Sequence, residues 1–271
     1  MSIYTDQLNR KIELKEFPKR IISLVPSQTE LLFDLGVGDN VVGITKYCIH
    51  PKEKIKKITK VGGTKNFDID KIIELNPDLI IANKEENYKE GIEELEQKFP
   101  VWISDIIDLN SSFEMIDEIG KLVGKQKEAE NLVYKLNQDF NELAKKGALS
   151  ERYKVLYFIW KNPFMIAGKN TFINDILERT SLENKSKNRY PILDEEKIKE
   201  WNPQIILLSS EPYPFKEKDI QDFAQLVPNA YIRVVDGELF SWYGSRLKYT
   251  ISYLKKLQKD IELYFNKLKL N

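Results

Sequence analysis

One internal repeat constrains the fold of this chain more than any other feature of its sequence. Residues 70–81 read DKIIELNPDLII and residues 196–207 read EKIKEWNPQIIL, so corresponding residues lie 126 positions apart. A solenoid repeat has a much shorter period, about 20 to 50 residues. The 271-residue chain is therefore expected to contain two similar lobes, and it is long enough for a substantial hydrophobic core.

Each copy of the repeat predicts a short helix, a tight turn and a buried strand. An Asn-Pro pair follows the helical pattern in both copies, at Asn76-Pro77 and Asn202-Pro203. Proline disfavours the helical conformation for the residue before it, so the helix is expected to end there. The β-branched residues that come next favour a strand.

Strand-like and helix-like segments alternate along the rest of the chain. Apolar runs at residues 20–25 and 154–159 are typical of strands buried on both faces of a parallel sheet, and residues 4–19 suggest a small β-hairpin. Residues 126–146 have apolar positions at helical spacing and no proline, which predicts a long, stiff helix closed by Gly147. The predicted fold class is α/β, with two lobes built on mainly parallel sheets and joined by this helix.

This pattern also predicts the bounds of the domains. Residues 1–124 form the N-terminal α/β lobe, residues 125–147 the connecting helix, and residues 148–271 the C-terminal α/β lobe.

Two Ser-x-x-Glu motifs predict helix starts. Ser27 and Glu30 follow the first buried strand, and Ser111 and Glu114 precede a second helical pattern. In such a capping box the serine and the glutamate satisfy free N–H groups at the start of the helix. The first motif predicts that Ser27 lies at the carboxyl end of a strand, where ligands bind in open α/β sheets.

Composition excludes several classes of site. Lys plus Arg and Asp plus Glu both number 42, so no general electrostatic attraction to nucleic acid or to an anionic membrane is expected. The lone Cys48 excludes an internal disulfide, and the lone His50 excludes a zinc site made of several His or Cys side chains. Cys48 is expected to be a small buried apolar residue.

The sequence as given predicts a cytoplasmic protein. Residues 1–7 have no basic or apolar export pattern, and no segment approaches the run of about 18 apolar residues that spans a bilayer. If an export signal has been removed, the expected location is periplasmic or lipid-anchored. We expect a monomer that binds a small molecule and neither binds nucleic acid nor inserts into a membrane.

Short motifs spread over nearly the whole chain resemble one protein family. They are residues 18–24 (PKRIISL), 26–30 (PSQTE), 35–36 (LG), 42–43 (VG) with Tyr47 and Pro51, 61–63 (VGG) and 76–80 (NPDLI). These motifs are similar to those of the class III substrate-binding proteins of ABC importers, the helical-backbone receptors for cobalamin, haem and ferric siderophores. The loops at residues 46–51 and 160–164 resemble those of the cobalamin-binding branch. The resemblance implies two Rossmann-like lobes, one long bridging helix, and a ligand-binding protein rather than an enzyme.

The resemblance also implies a set of site residues near the cleft between the lobes. They are Ser27, Tyr47, Thr64, Asn83, Trp160, Tyr190 and Trp242. A corrinoid is a wide, flat disc, and aromatic side chains give such a ligand a large contact area at small entropic cost. Asp70 and Glu196, at equivalent positions of the repeat, are expected to meet arginines of an ABC transporter permease.

Other ligands and functions fit the same fold. A ferric siderophore is an anionic chelate that requires cations, for which Lys46, Lys65, Lys161 and Arg246 are candidates; Lys65 and Arg246 join the predicted ligand site. Haem is a further alternative ligand. A cytosolic enzyme or cofactor-handling protein on this fold is the alternative from another class.

Several of these residues also have a simpler interpretation. Each aromatic residue could serve only in packing, and acidic residues such as Asp70 and Glu196 are favourable in the first turn of any helix. No covalent cofactor is expected; the ligand would be cobalamin or another metal chelate. His50 is a weak candidate for an axial metal ligand, because a lone histidine in a loop is more often solvated.

Overall fold

The computed structural model describes residues 2–146, 149 and 151–270, which divide into two compact units. The first unit comprises the described residues of Met1–Ile106, Asn110–Lys135 and Tyr243–Arg246. The second comprises those of Ile107–Leu109, Leu136–Trp242 and Leu247–Asn271. The domain bounds drawn from the sequence stay a prediction, and residues 147 and 148 at one of them lie outside the described residues.

The first unit is built on a parallel sheet. A hairpin of β1 (Ser2–Thr5) and β2 (Lys11–Leu14) precedes it and confirms the ribbon predicted within residues 4–19. The sheet strands are β3 (Ile21–Ser23), β4 (Val41–Ile44), β5 (Thr59–Lys60), β6 (Leu79–Asn83) and β7 (Val101–Ser104). Their order is β5-β4-β3-β6-β7, and all neighbours pair in parallel.

Helices lie between the strands of this unit or follow its last strand. They are α1 (Pro26–Asp34), α2 (Ile69–Leu75), α3 (Lys89–Glu96), α4 (Leu109–Leu122) and the long α5 (Gln126–Lys146). A core packs on the sheet around Ile22, Ile80 and Ile103, because the strands carry apolar residues on both faces. Helix α5 confirms the predicted long helix; its residues up to Lys135 belong to the first unit and those from Leu136 to the second. Gly147, predicted to close it, lies outside the described residues.

The two predicted capping boxes are wrong. Helix α1 begins at Pro26, and Val25 is its N-cap residue, so Ser27 already lies inside the helix; among the described residues no side chain caps it. Proline fits this first position, because its missing N–H would have had no partner there. Helix α4 begins at Leu109, two residues before Ser111, and the backbone N–H of Leu109 donates to Asp175 (3.0 Å).

The second unit has a mainly parallel sheet. Its strands are β8 (Tyr153–Trp160), β9 (Phe164–Ile166), β10 (Leu182–Asn184), β11 (Ile192–Leu193), β12 (Ile205–Ser209) and β13 (Tyr231–Val235). The order is β11-β9-β8-β12-β13, with β10 also paired to β8, and β9 is antiparallel to both of its neighbours. The helices are α6 (Phe172–Glu178), α7 (Glu195–Trp201), α8 (Ile220–Leu226), α9 (Glu238–Ser241) and α10 (Leu247–Leu270).

The structure confirms the internal repeat and corrects where its helices begin. Helices α2 and α7 both end at an asparagine with left-handed backbone geometry, Asn76 (φ 43°) and Asn202 (φ 42°), and each leads into a fully buried strand, β6 or β12. Each helix is capped by an aspartate one residue before its start, Asp68 or Asp194, whose carboxylate accepts a backbone N–H. Asp70 is therefore the second helical residue and not the first.

The predicted fold class is confirmed: two α/β units with mainly parallel central sheets, and one long helix whose residues are shared between them. Among the described residues, none of the helices combines the length and apolar character that crossing a lipid bilayer requires.

Candidate functional site

In the first unit the candidate site is the edge of the sheet where the parallel strands end. The connections leave β3 towards β4 and β6 towards β7, in opposite directions along the sheet, so a crevice is expected outside the carboxyl ends of β3 and β6. The structure brings the predicted residues of this unit to that edge. They are Ser27 after β3, Tyr47 after β4, Thr64 and Lys65 after β5, and Asn83 at the end of β6.

The Asn87 side chain ties three of these segments together. Its amide nitrogen donates to the backbone carbonyls of Leu24 (3.2 Å) and Thr64 (3.0 Å), and its amide oxygen accepts from the backbone N–H of Asn83 (2.8 Å). Asn87 is buried, so its amide provides these backbone groups with hydrogen bonds away from water. Sequence reasoning missed this residue, because one asparagine in a polar loop carries no local signal.

Asn83 and Lys65 both form hydrogen bonds with the loop that follows β6. Asn83 is buried; its amide nitrogen donates to Ser104 Oγ (3.0 Å), and its amide oxygen accepts from the backbone N–H groups of Glu85 (2.8 Å) and Glu86 (3.0 Å). The Lys65 ammonium donates to the backbone carbonyl of Glu85. The structure thus gives both residues a role in ordering the loop, and ligand contact by them stays a prediction.

The loop after β4 presents an aromatic ring. Tyr47 is 52% exposed, and Lys46 Nζ lies 5.1 Å from the centre of its ring. Cys48 is buried with Sγ 3.1 Å from Thr29 Oγ1, as expected for a small apolar residue, and burial raises the pKa of its thiol. His50 is half-buried, and within the described residues no group of three or more His, Cys, Asp or Glu side chains is placed to hold a metal ion.

The segment Tyr243–Arg246 also belongs to the first unit, and two carboxylates hold it. Arg246 Nε donates to Glu30 Oε2 (2.8 Å) and its NH2 nitrogen to Glu30 Oε1 (3.0 Å), which is a bidentate pair. The Tyr243 hydroxyl donates to Glu86 Oε1 (2.8 Å). Burial raises the pKa of Tyr243 well above its ordinary value, and the charge of Glu86 raises it further. The predicted ligand residue Arg246 is therefore already neutralised by Glu30.

In the second unit, Trp160 occupies the corresponding edge. It is the last residue of β8 and is 42% exposed; its indole N–H donates to the backbone carbonyl of Asn162 (3.1 Å), and its ring meets Tyr213 edge to face at 5.7 Å. The ring is thus oriented by its neighbours while much of its surface stays accessible.

Lys161, a candidate cation for an anionic ligand, is paired. Its ammonium donates to Asp219 (2.6 Å) and to Asp222 (2.8 Å), and these hydrogen bonds raise the pKa of Lys161. Burial opposes ionisation of Asp219, but the hydrogen bonds from Lys161 and from the backbone N–H of Lys216, together with the charges of nearby lysines, outweigh it and lower the pKa of that carboxyl group.

Trp242 is held beside the ends of β12 and β13. It is only 7% exposed, and its indole N–H donates to Glu211 Oε1 (2.9 Å). Nearby, the buried Tyr157 hydroxyl donates to Ser209 Oγ (3.1 Å), and burial raises the pKa of Tyr157. Ser209 is the last residue of β12 and matches Asn83 in the repeat, so in both units a polar residue ends the repeated strand.

Tyr190 lies elsewhere in the second unit. The backbone N–H groups of Ile166 and Gly168 donate to the carbonyls of Pro191 and Arg189, which places Tyr190 beside the end of β9 that lies away from the turn after Trp160. Tyr190 is 40% exposed. The structure therefore does not bring Tyr190 together with the loops that follow β8, β12 and β13.

The predicted docking residues occupy equivalent positions. Asp70 and Glu196 are each the second residue of their helix, α2 and α7, and both are exposed. Glu74 and Glu200 lie one turn further on the same helices and are also exposed.

Known proteins with similar sequences are transport receptors. The profile of the periplasmic binding protein family matches residues 21–227. An uncharacterized ABC transporter substrate-binding lipoprotein, YvrC of Bacillus subtilis (strain 168), is 29% identical over 254 residues, which cover 89% of this chain and 80% of that protein. The vitamin B12-binding protein of Yersinia pseudotuberculosis serotype O:3 (strain YPIII) is 25% identical over 195 residues, 70% of this chain and 69% of that protein.

Solved structures share the fold. The periplasmic vitamin B12 binding protein BtuF of Vibrio cholerae superposes with a TM-score of 0.78 at 20% identity, covering 91% of this chain and 98% of that one. The periplasmic heme-binding protein RhuT from Roseiflexus sp. RS-1 in apo form superposes with a TM-score of 0.79 at 20% identity, covering 90% and 99%. The chain therefore belongs to the periplasmic binding protein family, among the cobalamin, haem and ferric-siderophore receptors of ABC importers, which bind ligands and are not enzymes.

Proposed function

We propose that this protein is the corrinoid receptor of an ABC importer and that it binds a cobalamin-type ligand with loops from both units, at the carboxyl ends of their strands. One observation carries the choice of ligand. Arg246 and Lys161, candidate cations of the site, are each already paired with carboxylates of their own unit. Lys46 and Lys65 keep their charge, since they contact the Tyr47 ring and a backbone carbonyl. With two of the four candidate cations neutralised, the site suits a corrin ring with amide side chains better than the propionates of haem or an anionic siderophore.

The exposed aromatic residues support the same ligand. Tyr47 in the first unit and Trp160 in the second offer flat apolar surface at strand ends, which suits a wide ring that is itself mostly uncharged. Vitamin B12-binding proteins of Yersinia are among the relatives. YvrC is a lipoprotein, so we propose that this protein likewise acts outside the cytoplasmic membrane.

Titration with cyanocobalamin, followed by its visible absorption and by calorimetry, tests the proposal. We expect saturable binding at micromolar concentrations, with one ligand per chain, and no displacement by haemin or a ferric hydroxamate. Tyr47→Ala and Trp160→Ala should each weaken binding about tenfold, equivalent to about 1.4 kcal/mol. Tyr134→Ala is the matched control, because Tyr134 is an exposed aromatic residue on α5. Tighter binding of haemin than of cyanocobalamin would overturn the corrinoid proposal.

We further propose that Asp70 and Glu196 dock the receptor on the permease. They are exposed acids at equivalent places of the repeat, one in each unit, which suits a partner that offers arginine to both. Asp70→Lys and Glu196→Lys should leave cyanocobalamin affinity unchanged and reduce uptake by cells that depend on this receptor at least tenfold. Glu74→Lys, on the same helix as Asp70, should leave both unchanged. If uptake is unchanged in the double variant that carries both Asp70→Lys and Glu196→Lys, the docking assignment is refuted.

A further inference from the structure

Glu211 is a carboxylate that the proposed ligand site does not use directly. It follows β12, and its Oε1 accepts two hydrogen bonds, from Ser241 Oγ (2.8 Å) and from the indole N–H of Trp242 (2.9 Å). All three residues belong to the second unit. A single carboxylate oxygen thus fixes both the end of α9 and the ring that follows it.

Hydrogen bonds and close packing hold the turn that carries Glu211. Ser209 Oγ donates to the Glu211 carbonyl (2.6 Å), and the backbone N–H of Gly237 donates to Ser210 Oγ (2.9 Å). Gly237 packs closely on this turn: a Cβ atom there would lie 2.5 Å from both Glu211 Cγ and Ser209 Oγ. The loop that contains Trp242 and the turn that contains Glu211 therefore form one packed unit, and the indole cannot turn without breaking its hydrogen bond.

The electrostatic surroundings disfavour a negative charge at this position. Burial raises the pKa of Glu211, and the charges of Glu238 on α9 and Asp236 after β13 raise it further, whereas the hydrogen bonds from Ser241 and Trp242 act against them. The pKa of Tyr157 on β8 is raised mainly by burial, and the charge of Glu211 raises it further. A glutamine would satisfy the same two donors without this electrostatic cost.

We propose that Glu211 is a positioning residue of the ligand site: by accepting the indole N–H of Trp242, it holds that ring and the loop of residues 236–242 in the ligand-binding arrangement. The inference rests on the proposed function and on the prediction from the sequence that Trp242 belongs to the ligand site. We attribute the effect on ligand affinity to the hydrogen bond between Glu211 and Trp242 and not to the negative charge of Glu211. Glu211→Gln should therefore keep the site intact, whereas Glu211→Ala should not.

Affinity for cyanocobalamin is the first measurement. We expect Glu211→Ala to raise the Kd about tenfold or more and Glu211→Gln to stay within about threefold of the natural protein. Glu217→Ala is the matched control, because Glu217 is an exposed acid in the segment that follows the same turn. An unchanged Kd in Glu211→Ala would overturn the proposal. A Kd in Glu211→Gln as high as in Glu211→Ala would also overturn it, because the charge would then be what matters.

Tryptophan fluorescence separates this inference from the proposed function. An ionised carboxylate beside the indole N–H shifts its emission, so the emission of Trp242, obtained by subtracting Trp242→Phe, should change with pH in the natural protein. This pH dependence of the emission should be absent in Glu211→Gln, and the measurement requires no ligand. If cyanocobalamin does not bind at all, the proposed function fails, and this titration still decides the positioning contact. A pH-dependent Trp242 emission that persists in Glu211→Gln would overturn it.

Discussion

Removing one partner from the pair of Glu30 and Arg246 should destabilise the protein more than removing one partner from a surface ion pair. The guanidinium donates to both carboxylate oxygens, at 2.8 and 3.0 Å, and the two side chains are only 10% and 11% exposed. Removing one partner leaves the other charge in a poorly hydrated place. Arg246→Ala and Glu30→Ala should therefore each destabilise the folded protein, whether or not Arg246 contacts a ligand.

The expected cost follows from the burial of the pair. Breaking a fully buried ion pair by removing one partner costs about 3–5 kcal/mol, and slight exposure places this pair near the lower limit, about 3 kcal/mol. For a chain of this size that corresponds to a fall in Tm of about 6–12 °C. In the double variant no charge is left unpaired, so its cost should lie well below the sum of the two single costs.

Urea and thermal unfolding of the two single variants and the double variant, followed by circular dichroism, test this cycle. Glu53→Ala is the control, since Glu53 pairs with Lys56 at the surface, where the side chains are 77% and 61% exposed. It should cost less than about 1 kcal/mol. Strictly additive single costs, or an Arg246→Ala variant as stable as Glu53→Ala, would refute the reasoning.

Three further predictions concern other parts of the fold. Asp68→Ala and Asp194→Ala should each cost about 1 kcal/mol by removing a helix cap, additively in the double variant, and a lack of any effect on urea midpoints would contradict the assigned caps. Asn87→Ala should cost about 2–3 kcal/mol and speed amide hydrogen exchange at residues 83–87, because buried backbone groups lose their partners; protection equal to the natural protein would contradict this. Cys48 should react with a thiol reagent at pH 8 far more slowly than free cysteine, because burial raises its pKa and blocks access, and fast labelling of the folded protein would disprove the buried placement.

The parts of the fold that sequence predicts well are those fixed by local chemistry. The Asn-Pro pairs and the β-branched runs act on their own neighbours, so both repeated helices end, and both repeated strands follow, where the pattern places them. The capping boxes failed for an equally local reason: Pro26 takes the first helical position, which moves Ser27 inside the helix. Asp68 and Asp194 carry a usable signal, an aspartate before each copy of the repeated helix.

The candidate site was less predictable because its decisive contacts join distant residues. Glu30 and Arg246 are 216 positions apart, and Lys161 lies 58 positions from Asp219. In the sequence both cations look available for an anionic ligand, and only the folded chain shows their partners. Glu211 and Asn87 belong to no sequence motif. Their importance comes from hydrogen bonds to residues in other loops, which only the folded chain brings close.

The assignment of Tyr243–Arg246 to the first unit has a consequence for the order of events during synthesis. The ribosome completes residues 1–135 long before it reaches Arg246, and until then Glu30 and Glu86 lack the partners that the folded unit gives them. The first unit therefore begins to emerge early but is completed only after most of the second unit has been made, directly before helix α10. A nascent chain arrested before residue 243 should hold this unit in a looser, more protease-sensitive state than one arrested after the whole chain has left the exit tunnel.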